Sequence, residues 1–147
     1  MKLKALLLTL GTTLLVTPSL YAQDGASLFA AKCAACHQTT RPSNISTLVA
    51  PPVMGVMRHV KMRYGTKEES IQFISEYALN PQASKAVCMP EKIQRFGLMP
   101  SQKGNVSKEE LQTIASWMYD NFPPKGFQGM GKGHGKGQGK GKGRNCQ

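Results

Sequence analysis

"KCAACHQ", residues 32–38, places two cysteines and a histidine within about two turns of chain. Three chemistries use such a cluster: a metal ion held by thiolates and imidazole, dithiol–disulfide exchange, or the covalent anchoring of something larger. Compartment decides much of this, because the same residues mean different things in reducing and oxidising surroundings. Lys2 and Lys4 form a short basic region, Ala5 to Val16 is mostly apolar, Pro18 breaks the run, and "LYA" ends at Ala22 with a small residue. That order is the pattern of a secretory signal peptide over residues 1–22. The apolar run falls short of the ~20 residues a helix needs to cross a bilayer, and Thr9, Thr12 and Thr13 weaken it further. An uncleaved anchor is the alternative. The reading therefore starts the mature chain at Gln23 and expects an exported, periplasmic protein.

Charge divides what remains. The chain carries a formal +11, and without Lys2 and Lys4 it carries +9. Residues 125–147, "KGFQGMGKGHGKGQGKGKGRNCQ", hold six Lys or Arg and no acid, which leaves +3 for residues 23–124. Gly alternating with Lys, Gln or His cannot bury enough apolar surface to offset the entropy of ordering. The expected organisation is one domain over residues 23–124 and a disordered cationic tail over 125–147.

Within the domain the periodicity predicts three helices. The first runs through "DGASLFAAKCAAC", with Asp24 as its cap. A second opens at Thr66 with Glu69 at capping-box spacing, shows Ile71, Ile74 and Ala78 on one face, and stops at Asn80-Pro81. The third opens at Ser107 with Glu110 and lines one face with Leu111, Ile114, Ala115, Met118 and Phe122. No stretch alternates with period two for long enough to form a strand, and residues 41–52 read as an extended loop. The expected fold class is all-α.

Three helices make a thin core for a domain of this size. A large apolar group would fill its middle, and Cys33, Cys36 and His37 form the C-x-x-C-H pattern of haem attachment. Cysteines three apart project toward one side, so two thioether bonds reach the two vinyl groups of one haem, and His37 is carried under the iron as proximal ligand. A disulfide oxidoreductase site normally follows a strand, and none precedes Lys32. Half of a zinc site would need a second cysteine pair, and Cys88 and Cys146 are not spaced as one.

Function turns on the sixth iron position. Met99 in "FGLMPSQKGNVSKEELQTIASW" sits in a loop, before a proline that restrains it to extended backbone, and shortly ahead of a capped helix. Met89, in "VCMPEK", shares the Met-Pro pair and is the alternative. His59 or an open position complete the set. Met54, Met57, Met62 and Met118 read as flexible core filler.

Taken together, "GASLFAAKCAACH", "APPVMG" at 50–55, "LMP" at 98–100 and "SKEELQTIASWMYDNF" resemble the class I c-type monohaem cytochromes over about residues 25–122. The resemblance implies a small helical domain wrapped around one covalent haem c, with first and last helices crossing. Gly25 and Phe29 would then meet Trp117 or its neighbours. It further implies a Pro51 carbonyl that accepts the free N–H of the proximal His37. The insertion at 56–97 is longer than in the smallest members.

A His/Met pair raises the reduction potential relative to two histidines and leaves no position for substrate. The expectation is thus a periplasmic one-electron carrier rather than an enzyme. A haem protein with an open sixth position, and a cytochrome subunit of a larger redox enzyme, are the alternatives. Lys32, Arg41, Lys92, Arg95 and Lys103 would steer redox partners with acidic docking surfaces. The tail would contact anionic surfaces, and without interleaved aromatics nucleic acid is disfavoured. No transmembrane span is expected after processing. Cys88 and Cys146 form a disulfide with each other, stand as thiols, or link two chains through Cys146.

Overall fold

The structure is a computed structural model and describes residues 24–40 and 42–127. Residues 1–23, Arg41 and residues 128–147 lie outside the described residues, and with them the expected signal peptide, nearly all of the expected tail and Cys146. Among the described residues the fold is helical, with no strand. Five α-helices follow in chain order: α1 (Gly25–Lys32), α2 (Val53–Arg63), α3 (Lys67–Leu79), α4 (Pro90–Phe96) and α5 (Lys108–Asn121). Single 3-10 turns lie at Ile45–Thr47 and Ala83–Lys85. No described helix is long and apolar enough to cross a membrane.

The expected starts of α1, α3 and α5 are chemically explicit. Asp24 Oδ1 accepts from Ser27 N–H at 2.9 Å, and that bond holds the Asp24 carboxyl below its ordinary pKa. In α3, Thr66 Oγ1 accepts from Glu69 N–H while Glu69 Oε2 accepts from Thr66 N–H. Ser107 and Glu110 repeat the exchange at α5. Each box satisfies two amide donors that a helix N-terminus leaves without partners.

Helices α2 and α4 depart from the three-helix expectation. Both start beside a proline: Pro52 caps α2, and Pro90 is the first residue of α4. Proline's fixed φ suits the first helical turn and its missing N–H is not needed there. Val53, Met57 and Val60 then follow at helical spacing and are fully buried. Helix α4 spans seven residues, buries none of them, and ends at Gly97, whose φ of +74° only glycine adopts readily. Helix α1 is also shorter than expected. It stops at Lys32, and residues 33–37 continue as a hydrogen-bonded turn in which Cys36 and His37 N–H donate to Cys33 O at 3.1 and 2.9 Å.

Helix α5 is the hub, packed on α1 and α3 and more lightly on α2. Gly25 is what allows α1 to cross α5 closely. A Cβ at that position would lie 2.3 Å from Trp117 Cβ and 2.7 Å from Thr113 O. Phe29 and Trp117 meet with ring centroids 5.2 Å apart, as the resemblance implied. The buried side of α3 differs from the expected one. Ser70 and Ser75 are fully buried beside Ala78, whereas Ile71 and Ile74 are half-exposed. Their hydroxyls donate to the carbonyls of Thr66 and Ile71, at 2.9 and 2.8 Å, so these serines enter the interior without an unmet donor. Ile74 is left for the cleft described next.

Candidate haem site

Cys33, Cys36, His37 and Met99 lie 66 positions apart at the extremes of sequence, and the fold brings all four to one cleft. The cleft encloses about 220 Å³. Its walls are overwhelmingly apolar: Phe29 from α1, Val56 and Val60 from α2, Ile74 from α3, and Leu111 and Ile114 from α5. Water occupies about 30 Å³ per molecule and needs polar partners, so a space of this size and character suits an organic group.

His37 is oriented before any metal is considered. Val53 N–H donates to Gln38 O at 3.0 Å, closing residues 38–53 into a loop. That closure returns Pro51 to the turn, and His37 Nδ1 donates to Pro51 O at 2.8 Å. A carbonyl oxygen carries no hydrogen, so the bond requires the proton on Nδ1. The neutral ring then keeps its free lone pair on Nε2, as a metal ligand must. Burial pulls the His37 pKa below its ordinary value, against the opposing effect of the Pro51 bond, and favours that neutral ring.

The cysteines are differently placed: Cys33 is half-buried in the wall and Cys36 is exposed at the rim. Burial, and secondarily the adjacent Cys36, push the Cys33 thiol above its ordinary pKa. A disulfide-exchange nucleophile needs the reverse shift. Among the described residues no group of three His, Cys, Asp or Glu side chains is arranged to hold a metal ion by itself. Two thiols on one turn, a pre-oriented imidazole and an apolar cleft fit a covalently attached haem.

The candidates for the sixth position separate in space. Met99 lines the cleft, Met89 lines a neighbouring groove and is 43% exposed, and His59 lines neither. Met118 also reaches the cleft, but as a buried residue of the α5 core. The cytochrome c family model matches residues 22–121. The chain belongs to the cytochrome c family. This cytochrome c is 33% identical to an uncharacterized protein of Aquifex aeolicus (strain VF5), in an alignment covering 68% of this chain and 74% of that one. No solved structure matches it.

Several residues of this cytochrome site were not among the sequence candidates. Phe73 and Tyr77 of α3 and Ile93 and Phe96 of α4 line the cleft. Tyr64, Phe73 and Tyr77 form a run of stacked rings, with centroids 4.8 and 5.4 Å apart. The available signal was Phe73 and Tyr77 at i, i+4 on a helix already expected. Of the cations expected around the site, Lys32 and Lys92 line the cleft. Lys32 Nζ donates to Asn105 O at 3.0 Å. Arg95 bonds Ile45 O and lies over the Phe96 ring, and Lys103 is exposed.

Proposed function

We propose that this cytochrome c is an exported, periplasmic one-electron carrier. Cys33 and Cys36 would hold one haem through thioethers, and His37 and Met99 would ligate its iron. The observation that carries this reading is the pairing of a His37 ring oriented by Pro51 with a cleft that Met99 lines and Met89 does not. When bound, the haem supplies a one-electron Fe(III)/Fe(II) couple. The protein's residues supply the surroundings of that couple.

Pro51 fixes the His37 ring and raises its basicity toward a metal. Thioether sulfur at Met99 is soft and favours the reduced metal, which raises the potential. Apolar side chains from all five helices exclude water, so the charge change meets few dipoles that must reorient. Cys36 stands at the exposed rim of the site with Lys32, Val49 and Leu98, and Lys32 and Lys92 give the cleft positive charge toward an acidic redox partner. The stacked Phe73 and Tyr77 rings complete the apolar wall.

Intact mass of the mature chain tests attachment directly: one haem added, with the leader absent, is the expected result. Redox titration should then follow a single one-electron curve. The reduced protein should take up carbon monoxide slowly, because both axial positions are filled. Rapid uptake would overturn the His/Met reading in favour of an open sixth position.

A further inference from the structure

The segment that follows Met99 is staked to the end of α3. Ser101 Oγ donates to Leu79 O at 2.6 Å, and the Gln102 N–H donates to Ala78 O at 2.9 Å. Both carbonyls lie in the last turn of α3, where a helix leaves its acceptors without internal partners. The anchor is stiffened on its far side. Gln102 Nε2 donates to Pro100 O at 3.0 Å, and Asn105 and Val106 N–H donate to Gln102 O at 3.0 and 3.2 Å. Val106 is buried, so this knot is continuous with the core. Ser101 Oγ also accepts from Lys103 N–H at 3.3 Å, serving both sides of the anchor.

Residues 80–101 between these feet are different in kind. Not one of them is buried, although they include all of α4 and both Met-Pro pairs. A segment with little buried apolar surface belongs to the low-stability end of a fold and opens as a unit. Its hold on the cleft rests on the side chains it sets against that cleft, on the bond from Arg95 to Ile45 O in its middle, and on how its ends are tied. Met99 stands two residues from the Ser101 foot. Met89 stands at the cap of α4, far along the loop from either foot, with no side-chain cap bond there.

We propose that Ser101 is a positioning residue that keeps Met99 in the cleft and sets how often the sixth position opens. The proposal rests on the reading of Met99 as the axial ligand. Its hydroxyl provides one of two bonds at the foot nearest Met99, and the other is a main-chain bond that no side-chain change removes. An added ligand that needs the open form binds with its intrinsic affinity multiplied by the open fraction. Loss of one hydrogen bond of ordinary net strength raises that fraction about threefold to tenfold.

The test is an imidazole titration of the ferric, haem-loaded protein, followed by absorbance. Ser101→Ala should raise imidazole affinity about threefold to tenfold, and Ser101→Thr, which keeps the hydroxyl, should return it to the wild-type value. Amide exchange across residues 80–101 should quicken by the same factor in Ser101→Ala while α5 stays unchanged. Unaltered imidazole affinity in Ser101→Ala overturns the proposal. So does a uniform quickening that includes α5, which would mark a general loss of stability, or a threonine variant that behaves like alanine. Met99→Ala separates this outcome from the underlying reading: it should raise imidazole affinity at least about a hundredfold, since no opening step remains. If Met99→Ala has no such effect the ligand assignment fails. If it does and Ser101→Ala is silent, only the role of Ser101 fails.

Discussion

At the scale of single residues, two side chains carry the assignment and a third reports on pH. His37 is held by Pro51 O at 2.8 Å, a bond that specifies which nitrogen faces the cleft. Met99→Ala should abolish the long-wavelength absorption of an Fe(III)–thioether bond, and Met89→Ala should preserve it; the reverse pattern in the two optical spectra would transfer the assignment to Met89. His59 titrates in an unusual setting. Its Nδ1 is buried without a partner, and burial, then Arg58, then Lys92 lower its pKa below the ordinary imidazole value. A folded-state pKa below the unfolded one means that the unfolded chain binds the proton first as pH falls. The neutral ring is therefore tolerated above the unfolded value of about 6.5, and stability is lost as pH drops from there through the folded pKa. Urea unfolding of the haem-loaded protein at pH 7.5 and 5.5 should show this loss, and His59→Gln should reduce it.

At the scale of elements, the crossing of α1 and α5 and the two capping boxes are the points where one substitution says most. Gly25→Ala places a methyl group into Trp117 Cβ and the Thr113 carbonyl, and the second of these is backbone that cannot rotate away. Forced overpacking of this kind costs about 3 kcal/mol, so the denaturant midpoint should fall steeply, and a midpoint within error of wild type would contradict the packing described. Thr66→Ala and Ser107→Ala each remove the side-chain half of a capping box. Each should cost about 1 kcal/mol, measured by the same unfolding experiment, and the losses should add because the boxes sit on different helices. Lys61 over the Tyr119 ring and the Lys67–Asp120 ion pair link α2 and α3 to α5, at 4.3 and 2.6 Å. Both lie at the surface, where such contacts contribute little.

At the scale of the whole molecule, side chains from all five helices, with the loops between them, converge on one cleft. Of the +9 that remains without Lys2 and Lys4, six charges lie in residues 125–147 and +3 in residues 23–124, so the domain itself is only mildly cationic. Lys32 and Lys92 bring positive charge to the cleft. Oxidation by an anionic iron complex should slow as salt rises, because screening shortens the reach of that field. Lys92→Glu should weaken both the rate and its salt dependence, read by stopped-flow absorbance. Replacing Cys33 and Cys36 together by alanine should yield a chain without covalent haem, and its helical circular dichroism should fall well below that of the loaded protein.

Local chemistry made part of this protein legible from residues alone. The C-x-x-C-H run, the Asp24 cap and the paired Thr66/Glu69 and Ser107/Glu110 signals all act within a few positions, so the sequence by itself determined α1, α3, α5 and the family. Gly25 ahead of Phe29 was readable on the strength of the resemblance. Helix α4 was not, since seven residues that bury nothing leave no periodic pattern, and α2 was missed although Val53, Met57 and Val60 stand at helical spacing, because Met57 read as flexible core filler. Between the two Met-Pro pairs the sequence favoured Met99 through its place shortly ahead of the capped α5, and kept Met89 as the alternative because both pairs have the same local restraint. Only the tertiary structure put Met99 on the cleft and Met89 on a neighbouring groove, for the physical reason that wall membership depends on where distant segments are tied. Those ties are Ser101 and Gln102 to the end of α3, and Val53 to Gln38.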